Sequence, residues 1–424
     1  MILKCMLERA VVLFVLVFRL AGIFVCDGTG VTLGLMSSAV AQSADTNHAV
    51  ASPNEVYDYK EPGKQYRLVI RRGLETVRGL LVVCNYAGGD SRGYYAQNWY
   101  GEFMDLHGFA FLGSEGNNSH FESYQAFLRA LQQFSIDSHH PELVNAPYAT
   151  TGFSAGGGFA STLLTKDPDK VIASVPVGAR INFDVFKAPD APAAAHLGVP
   201  TCLITGEQEN SAQVVDPVFM PYRPQGALYS WMAVQGIGHE MRGQEVLAMP
   251  VLDAAVRARY PVDGDVRTGP ITLKAVDIAS GWVADHTTWK SGLTRIVPAK
   301  EFTGDLGHSS WLETEDLAFI YRAYSTYDRP LTITSPLSGV PGGAPECDAG
   351  ADVPIIVDAS RFPGWKKLAF YDGAKKLGEI TEGSPKWSAK NLTPGYHVFS
   401  VLGEDAVGNL RTSNPALVVV KGGP

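Results

Sequence analysis

The chain has 424 residues, 46% hydrophobic and 18% charged, so it carries enough apolar side chain for a large core and is not a disordered polymer. Its formal net charge of -8, from 35 basic against 43 acidic residues, excludes the basic footprint of a non-specific nucleic-acid binder. At roughly 150 residues per domain the length allows two or three domains, or one large α/β unit with a small module.

Residues 1–41 read as an export signal. Lys4 and Arg9 precede an apolar run from Val11 to Val25 broken by Arg19, and the small residues Ala39 and Ala41 stand where a signal peptidase accepts them, before Gln42. Met6 is an alternative start that shortens the segment. The run falls short of the roughly 20 residues that span a bilayer, so stable membrane insertion is not expected. Val25 before Cys26 is not the small residue that precedes a lipid-modified cysteine. A periplasmic or extracellular location is therefore expected. Of the five cysteines, Cys5 and Cys26 fall in this segment. Cys84, Cys202 and Cys347 are too few and too scattered for a disulfide framework, and the first two sit in strand-like runs as buried small hydrophobes.

Residues 42–60 are polar and read as a flexible segment. A strand is expected at Tyr66–Ile70 and another at Gly79–Asn85, the latter a continuous apolar run typical of a strand covered on both faces. Helical spacing at Ala96–His107 and Phe121–Phe134 alternates with strands at Gly108–Leu112, Tyr148–Phe153, Val171–Val177, Pro200–Thr205 and Leu228–Val234, and Val246–Arg259 reads as a closing helix. Such alternation implies β-α units and a largely parallel sheet. The tryptophan-bearing stretch 261–327 is open between finishing this domain, covering its active edge and binding an extended substrate. From residue 328 to 424 short strands separated by turns such as Asp372-Gly373 and Pro394-Gly395 indicate a small β-sandwich.

The strongest chemical signal is Gly152-Phe153-Ser154-Ala155-Gly156 between an expected strand and an expected helix. Glycines at Gly152 and Gly156 permit a crowded turn that lifts Ser154 above the sheet, and the helix start presents backbone N–H groups to developing negative charge. His139-His140 with Glu142 lacks the spacing of a metallohydrolase helix and reads as a polar loop, so no metal and no organic cofactor is implied.

This elbow and its setting resemble the α/β-hydrolase superfamily of serine esterases, over residues 60–260 and onward to 325. The resemblance implies an α/β fold with a mostly parallel sheet, and an order of serine, acid, histidine along the chain. The acid position after the strand Pro200–Thr205 matches Glu209, with Glu207 the alternative and Asp216 a distant third. The family usually has aspartate there, and the longer glutamate arm leaves the choice open. His239, in Gly236-Ile237-Gly238-His239 after a strand, matches the base. The oxyanion donors implied are the backbone N–H of Ala155 and one from the loop Asn85-Tyr86-Ala87-Gly88-Gly89, Tyr86 first and Ala87 second. Tyr94, Tyr95 and Trp99 are candidate pocket walls. Within the superfamily the chain looks closest to secreted polyhydroxyalkanoate depolymerases and feruloyl or acetylxylan esterases, and Asp405-Ala406-Val407-Gly408-Asn409 resembles a turn of immunoglobulin-like modules. The expectation is an exported esterase acting through an acyl-enzyme on a small-molecule or polymer ester. A peptidase of the prolyl-oligopeptidase type and a non-catalytic polymer or cell-surface binding protein are the rivals; the oligomeric state is open.

Overall fold

The computed structural model describes residues 52–118, 121–179, 195–209, 220–241, 243–337 and 343–422. The expected signal segment 1–41 and Asp216 lie outside the described residues.

The alternation of apolar runs and amphipathic stretches produces one eight-stranded sheet. Its strands are β1 (Asn54–Glu61), β2 (Lys64–Arg71), β3 (Gly79–Cys84), β4 (Phe109–Glu115), β5 (Tyr148–Phe153), β6 (Val171–Val177), β7 (Thr201–Gly206) and β8 (Tyr229–Val234), in the order β1-β2-β4-β3-β5-β6-β7-β8. From β4 through β8 neighbours are parallel, and β1 and β2 add an antiparallel edge hairpin. Every residue of β3, β5, β6 and β7 is buried, as strands covered on both faces require.

Successive strand residues feed opposite layers. Leu81 and Val83 of β3 pack with helices α1 (Asn98–His107) and α4 (Glu245–Arg259), whereas Leu80, Val82 and Cys84 pack with α2 (Phe121–Asp137) and α3 (Ala155–Lys166). The result is a doubly wound α/β architecture, with helices on both faces of the sheet among the described residues. From β3 the chain steps outward to β4, then returns past β3 to β5. The strand order therefore reverses between β3 and β5, where an open α/β sheet leaves a crevice at the carboxyl ends of its strands. Among the described residues no helix is long and apolar enough to cross a membrane.

One expected boundary is corrected. Asn54–Lys60, placed in a flexible segment on composition, belongs to β1 and pairs residue by residue with β2 from Asn54↔Arg71 to Glu61↔Lys64. Its residues alternate between half-buried and exposed, and Tyr57 and Tyr59 on the half-buried face pack against the core, so pairing together with one apolar face orders it.

Residues 261–327 contain a three-stranded sheet, β9 (Trp282–Asp285), β10 (Ile296–Pro298) and β11 (Ser309–Leu312), and helix α5 (Glu315–Ser325), capped by the Thr314 side chain accepting the Leu317 N–H. They flank β8: the Trp231 N–H donates to Ser310 Oγ at 2.9 Å, and the Tyr321 hydroxyl donates to the Trp231 carbonyl.

The C-terminal strands are β12 (Thr332–Ser335), β13 (Glu346–Asp348), β14 (Val353–Asp358), β15 (Lys367–Asp372), β16 (Lys375–Ile380), β17 (Lys386–Ala389), β18 (Gly395–Glu404), β19 (Leu410–Thr412) and β20 (Ala416–Lys421). They make two sheets, β12-β14-β17 and β13-β20-β18-β15-β16 with β19 on β18. Strand β20 uses both faces. Ala416, Val418 and Val420 fill the sandwich interior, while Leu417 and Val419 join the core built on α1 and α4. Polar contacts seal the junction: the Tyr396 hydroxyl donates to the Trp99 carbonyl at 2.6 Å, and Asn98 Nδ2 donates to the Ala344 carbonyl at 2.6 Å.

Because that core is shared, both layers should unfold together. Leu417→Ala should cost about 2–5 kcal/mol and lower a single calorimetric transition. Two separate transitions, with only the sandwich responding, would contradict the shared core.

Candidate functional site

Ser154 sits between β5 and α3 with φ 56° and ψ −115°, a conformation that costs a non-glycine residue roughly 1–3 kcal/mol. The Ser154 N–H donates to the Val177 carbonyl at 2.8 Å, and the Ser154 carbonyl accepts the Gly158 N–H at 3.0 Å. The flanking glycines are needed for close approach. A Cβ on Gly152 would lie 2.5 Å from the Gly156 carbonyl, and one on Gly156 would lie 2.4 Å from the carbonyl carbon of Cys84. The parallel register sets Cys84 beside Gly152, which brings the Asn85–Gly89 loop next to the turn carrying Ser154.

His239 comes from the loop after β8. Its Nε2 is 2.8 Å from Ser154 Oγ, and its ring stacks on Phe153 with centroids 4.7 Å apart and planes at 29°. On the other side of the ring, Nδ1 is 3.6 Å from Glu209 Oε1. That oxygen accepts the Gly206 N–H at 3.1 Å. The Glu209 side chain is 3% exposed against 52% for His239, so a shielded carboxylate backs a solvent-accessible imidazole. A carboxylate at Nδ1 favours the tautomer with its proton there and leaves Nε2 free to accept the Ser154 hydroxyl proton.

The two glutamates separate clearly. Glu209 faces the histidine, whereas Glu207 turns to the Gly236 N–H at 3.2 Å and the Tyr327 hydroxyl at 2.7 Å. The Tyr327 hydroxyl bond, helped by the Gly236 N–H and the Lys290 ammonium, holds the Glu207 carboxyl below its ordinary range. The turns bearing Glu209 and His239 also touch directly. A Cβ on Gly206 would be 2.2 Å from the Gly238 carbonyl oxygen.

Ala155 opens α3, whose first N–H groups have no partner within the helix. The Tyr86 N–H, expected as the second donor, gives its hydrogen to Asn85 Oδ1 at 2.8 Å, and Asn85 Nδ2 donates to the Tyr94 hydroxyl at 2.5 Å. The exposed Tyr86 ring meets Phe153 edge-on at 6.4 Å. Of the candidate pocket walls, Tyr94 thus reaches the loop beside Ser154. Tyr95 packs on Phe111, and Trp99 is a core residue of α1. It is buried against Tyr100, and its carbonyl serves the sandwich junction. Sequence reasoning gave no role to Phe153, Asn85 or Tyr327. A variable position beside the nucleophile, a strand-end asparagine and a distant tyrosine carry no motif.

Other candidates resolve structurally. Glu142 accepts the Val77 N–H at 2.9 Å and lies 2.8 Å from His140 Nδ1, which makes it a buried loop anchor. Cys84 and Cys202 are buried, and burial pushes their thiols up to about 11 and about 12.

No protein-family model and no curated protein matches the chain. Among solved structures, a ferulic acid esterase is 12% identical, covering 44% of this chain and 90% of that one, with a TM-score of 0.34. The S-formylglutathione hydrolase of Staphylococcus aureus is 11% identical, covering 48% and 97%, also at 0.34. A fibronectin(III)-like module of Clostridium thermocellum is 21% identical, covering 22% and 94%, at 0.20. Likenesses this distant carry no weight for activity.

If the contact of Gly206 with Gly238 sets the spacing of acid and base, Gly206→Ala should leave a folded protein whose Ser154 reacts with a fluorophosphonate about a hundredfold more slowly. Labelling at the wild-type rate would contradict that role.

Proposed function

We propose that the protein is an exported serine hydrolase that cleaves carboxylic esters through an acyl-enzyme. The observation that carries this reading is the 2.8 Å approach of His239 Nε2 to Ser154 Oγ on a strained turn, with the buried Glu209 behind Nδ1. Export rests on the character of residues 1–41.

In the proposed reaction Ser154 Oγ attacks the ester carbonyl carbon while its proton passes to His239 Nε2. Glu209 stabilises the resulting imidazolium and keeps the ring oriented. The carbonyl oxygen, now anionic, takes hydrogen bonds from the Ala155 N–H and from the Tyr86 N–H. The latter must exchange Asn85 Oδ1 for the oxyanion. The tetrahedral intermediate collapses by breaking the bond to the alcohol oxygen, which leaves with the proton from Nε2. Water then attacks the acyl-serine, delivering a proton to Nε2, and as the second tetrahedral intermediate collapses to the free acid that proton passes from Nε2 to Ser154 Oγ. One water is consumed per ester cleaved, and every proton passes through His239 Nε2, so the cycle closes with water as its one co-reactant. The preference for an ester over an amide comes from the family resemblance.

Assayed on an aryl ester and a peptide anilide side by side, wild-type protein should hydrolyse the ester and Ser154→Ala should not. Glu209→Gln should lower kcat about 10⁴-fold at neutral pH, by comparison with removal of the orienting carboxylate in other serine triads. Preferential cleavage of the anilide would replace the esterase with a peptidase, and a fully active Ser154→Ala protein would remove the mechanism.

A further inference from the structure

The turn after β7 and the loop after β8 are laced together by their backbones. The Glu207 N–H donates to the Val234 carbonyl at 2.9 Å and the Gln208 N–H to the Ile237 carbonyl at 3.0 Å. Glu207 adds a side-chain bridge that reaches a third element. Its Oε2 accepts the Gly236 N–H at 3.2 Å, and its Oε1 accepts the Tyr327 hydroxyl at 2.7 Å with Lys290 Nζ 3.7 Å away. Tyr327 is itself fixed: its N–H donates to the Trp289 carbonyl at 3.1 Å, and Lys290 Nζ lies over its ring, 5.1 Å from the centroid. A second tie joins the same elements further on, where the Tyr324 hydroxyl donates to the Gly243 carbonyl at 3.0 Å.

These contacts give the 261–327 extension a task. We propose that Glu207 and Tyr327 form a clamp that positions the His239 loop, so that the extension belongs to the reaction scaffold. Glu207 is then a positioning residue acting through Gly236, and Glu209 is the carboxylate that faces the imidazole. The proposal rests on the serine-hydrolase reading above. Gly236 occupies the left-handed region, φ 71°, and lies three positions before His239. Its N–H is directed by a carboxylate and not by another backbone carbonyl, so releasing that carboxylate frees the loop at its turn. Placement matters steeply here, because a shift of about 1 Å in a reacting group can slow a reaction about a hundredfold. Burial first, and then the neighbouring Glu207 carboxylate, push the Tyr327 hydroxyl upward in pKa, so it stays protonated and remains the donor across the working pH range.

The test compares wild type, Tyr327→Phe, Glu207→Gln and the double variant, each checked for folding by circular dichroism and assayed well below its melting temperature. Tyr327→Phe removes one hydroxyl and no charge, so it is the variant least able to disturb the fold. The readouts are the rate of Ser154 labelling by a fluorophosphonate, kcat and KM on an aryl ester, and the pH midpoint of labelling. Each single variant should lose about tenfold in labelling rate and in kcat with KM within about twofold, and the double variant should be no worse than the weaker single, since both act on one clamp. The clamp is overturned if the folded single variants label at the wild-type rate, or if their losses multiply. It is also overturned if Glu207→Gln moves the pH midpoint by about a unit while Tyr327→Phe changes nothing, because Glu207 would then act on His239 as a charge. Wild-type protein that fails to label at Ser154 would bring down the hydrolase reading together with the clamp.

Discussion

The site depends on the close approach of three backbones at the carboxyl edge of the sheet. The end of β3 at Cys84, the end of β5 at Gly152 and the first turn of α3 at Gly156 meet with no room for a Cβ. A chain crossing from β5 to α3 in that space is driven to positive φ at Ser154. A turn of this kind persists only where its surroundings over-determine it. Here the surroundings are fully buried parallel strands, a backbone bond from Ser154 to Val177, and helices on both faces. Strain is therefore localised at the one residue whose hydroxyl must project, and it coincides with the place where the strand order reverses.

The remaining groups are placed by strand register. Parallel pairing of β7 with β8 sets Gly206 opposite Val234, so the turns that follow, one with Glu209 and the other with His239, emerge side by side. Burial differentiates them: the carboxylate is enclosed while the imidazole stays open to an incoming group. The stack of His239 on Phe153 limits the ring's rotation, at the modest strength of aromatic contacts, about 0.5–1.5 kcal/mol. The C-terminal sandwich docks on α1, α4 and α5. It shares an interior with the larger domain at Leu417 and Val419.

Legibility in the sequence followed burial. Strands β3 and β5–β8 announce themselves as apolar runs because both their faces are covered, and Gly152-Phe153-Ser154-Ala155-Gly156 shows itself because close backbone contact demands glycine. Strand β1, NEVYDYKE, was hidden because edge pairing orders it and charged residues such as Asp58 and Lys60 stand on its outer face. Strand β16, KKLGEI, was hidden for the same reason. The two glutamates illustrate a different limit. Glu207 and Glu209 are alike in local sequence, and it is Tyr327, Gly236 and Lys290 in space that engage the first while the second faces His239. Loop position suggests the Tyr86 amide as a donor; the Asn85 side chain that occupies it follows from loop conformation, to which composition is blind.

The most direct measurement is a crystal structure of the protein after reaction with a fluorophosphonate. The account predicts phosphorus bonded to Ser154 Oγ, the phosphoryl oxygen within about 3 Å of the Ala155 and Tyr86 nitrogens, the Asn85 side chain released from the Tyr86 amide, and Glu209 still facing Nδ1 of His239. An adduct on another residue, or on Ser154 with its phosphoryl oxygen directed away from the Ala155 amide, would contradict it.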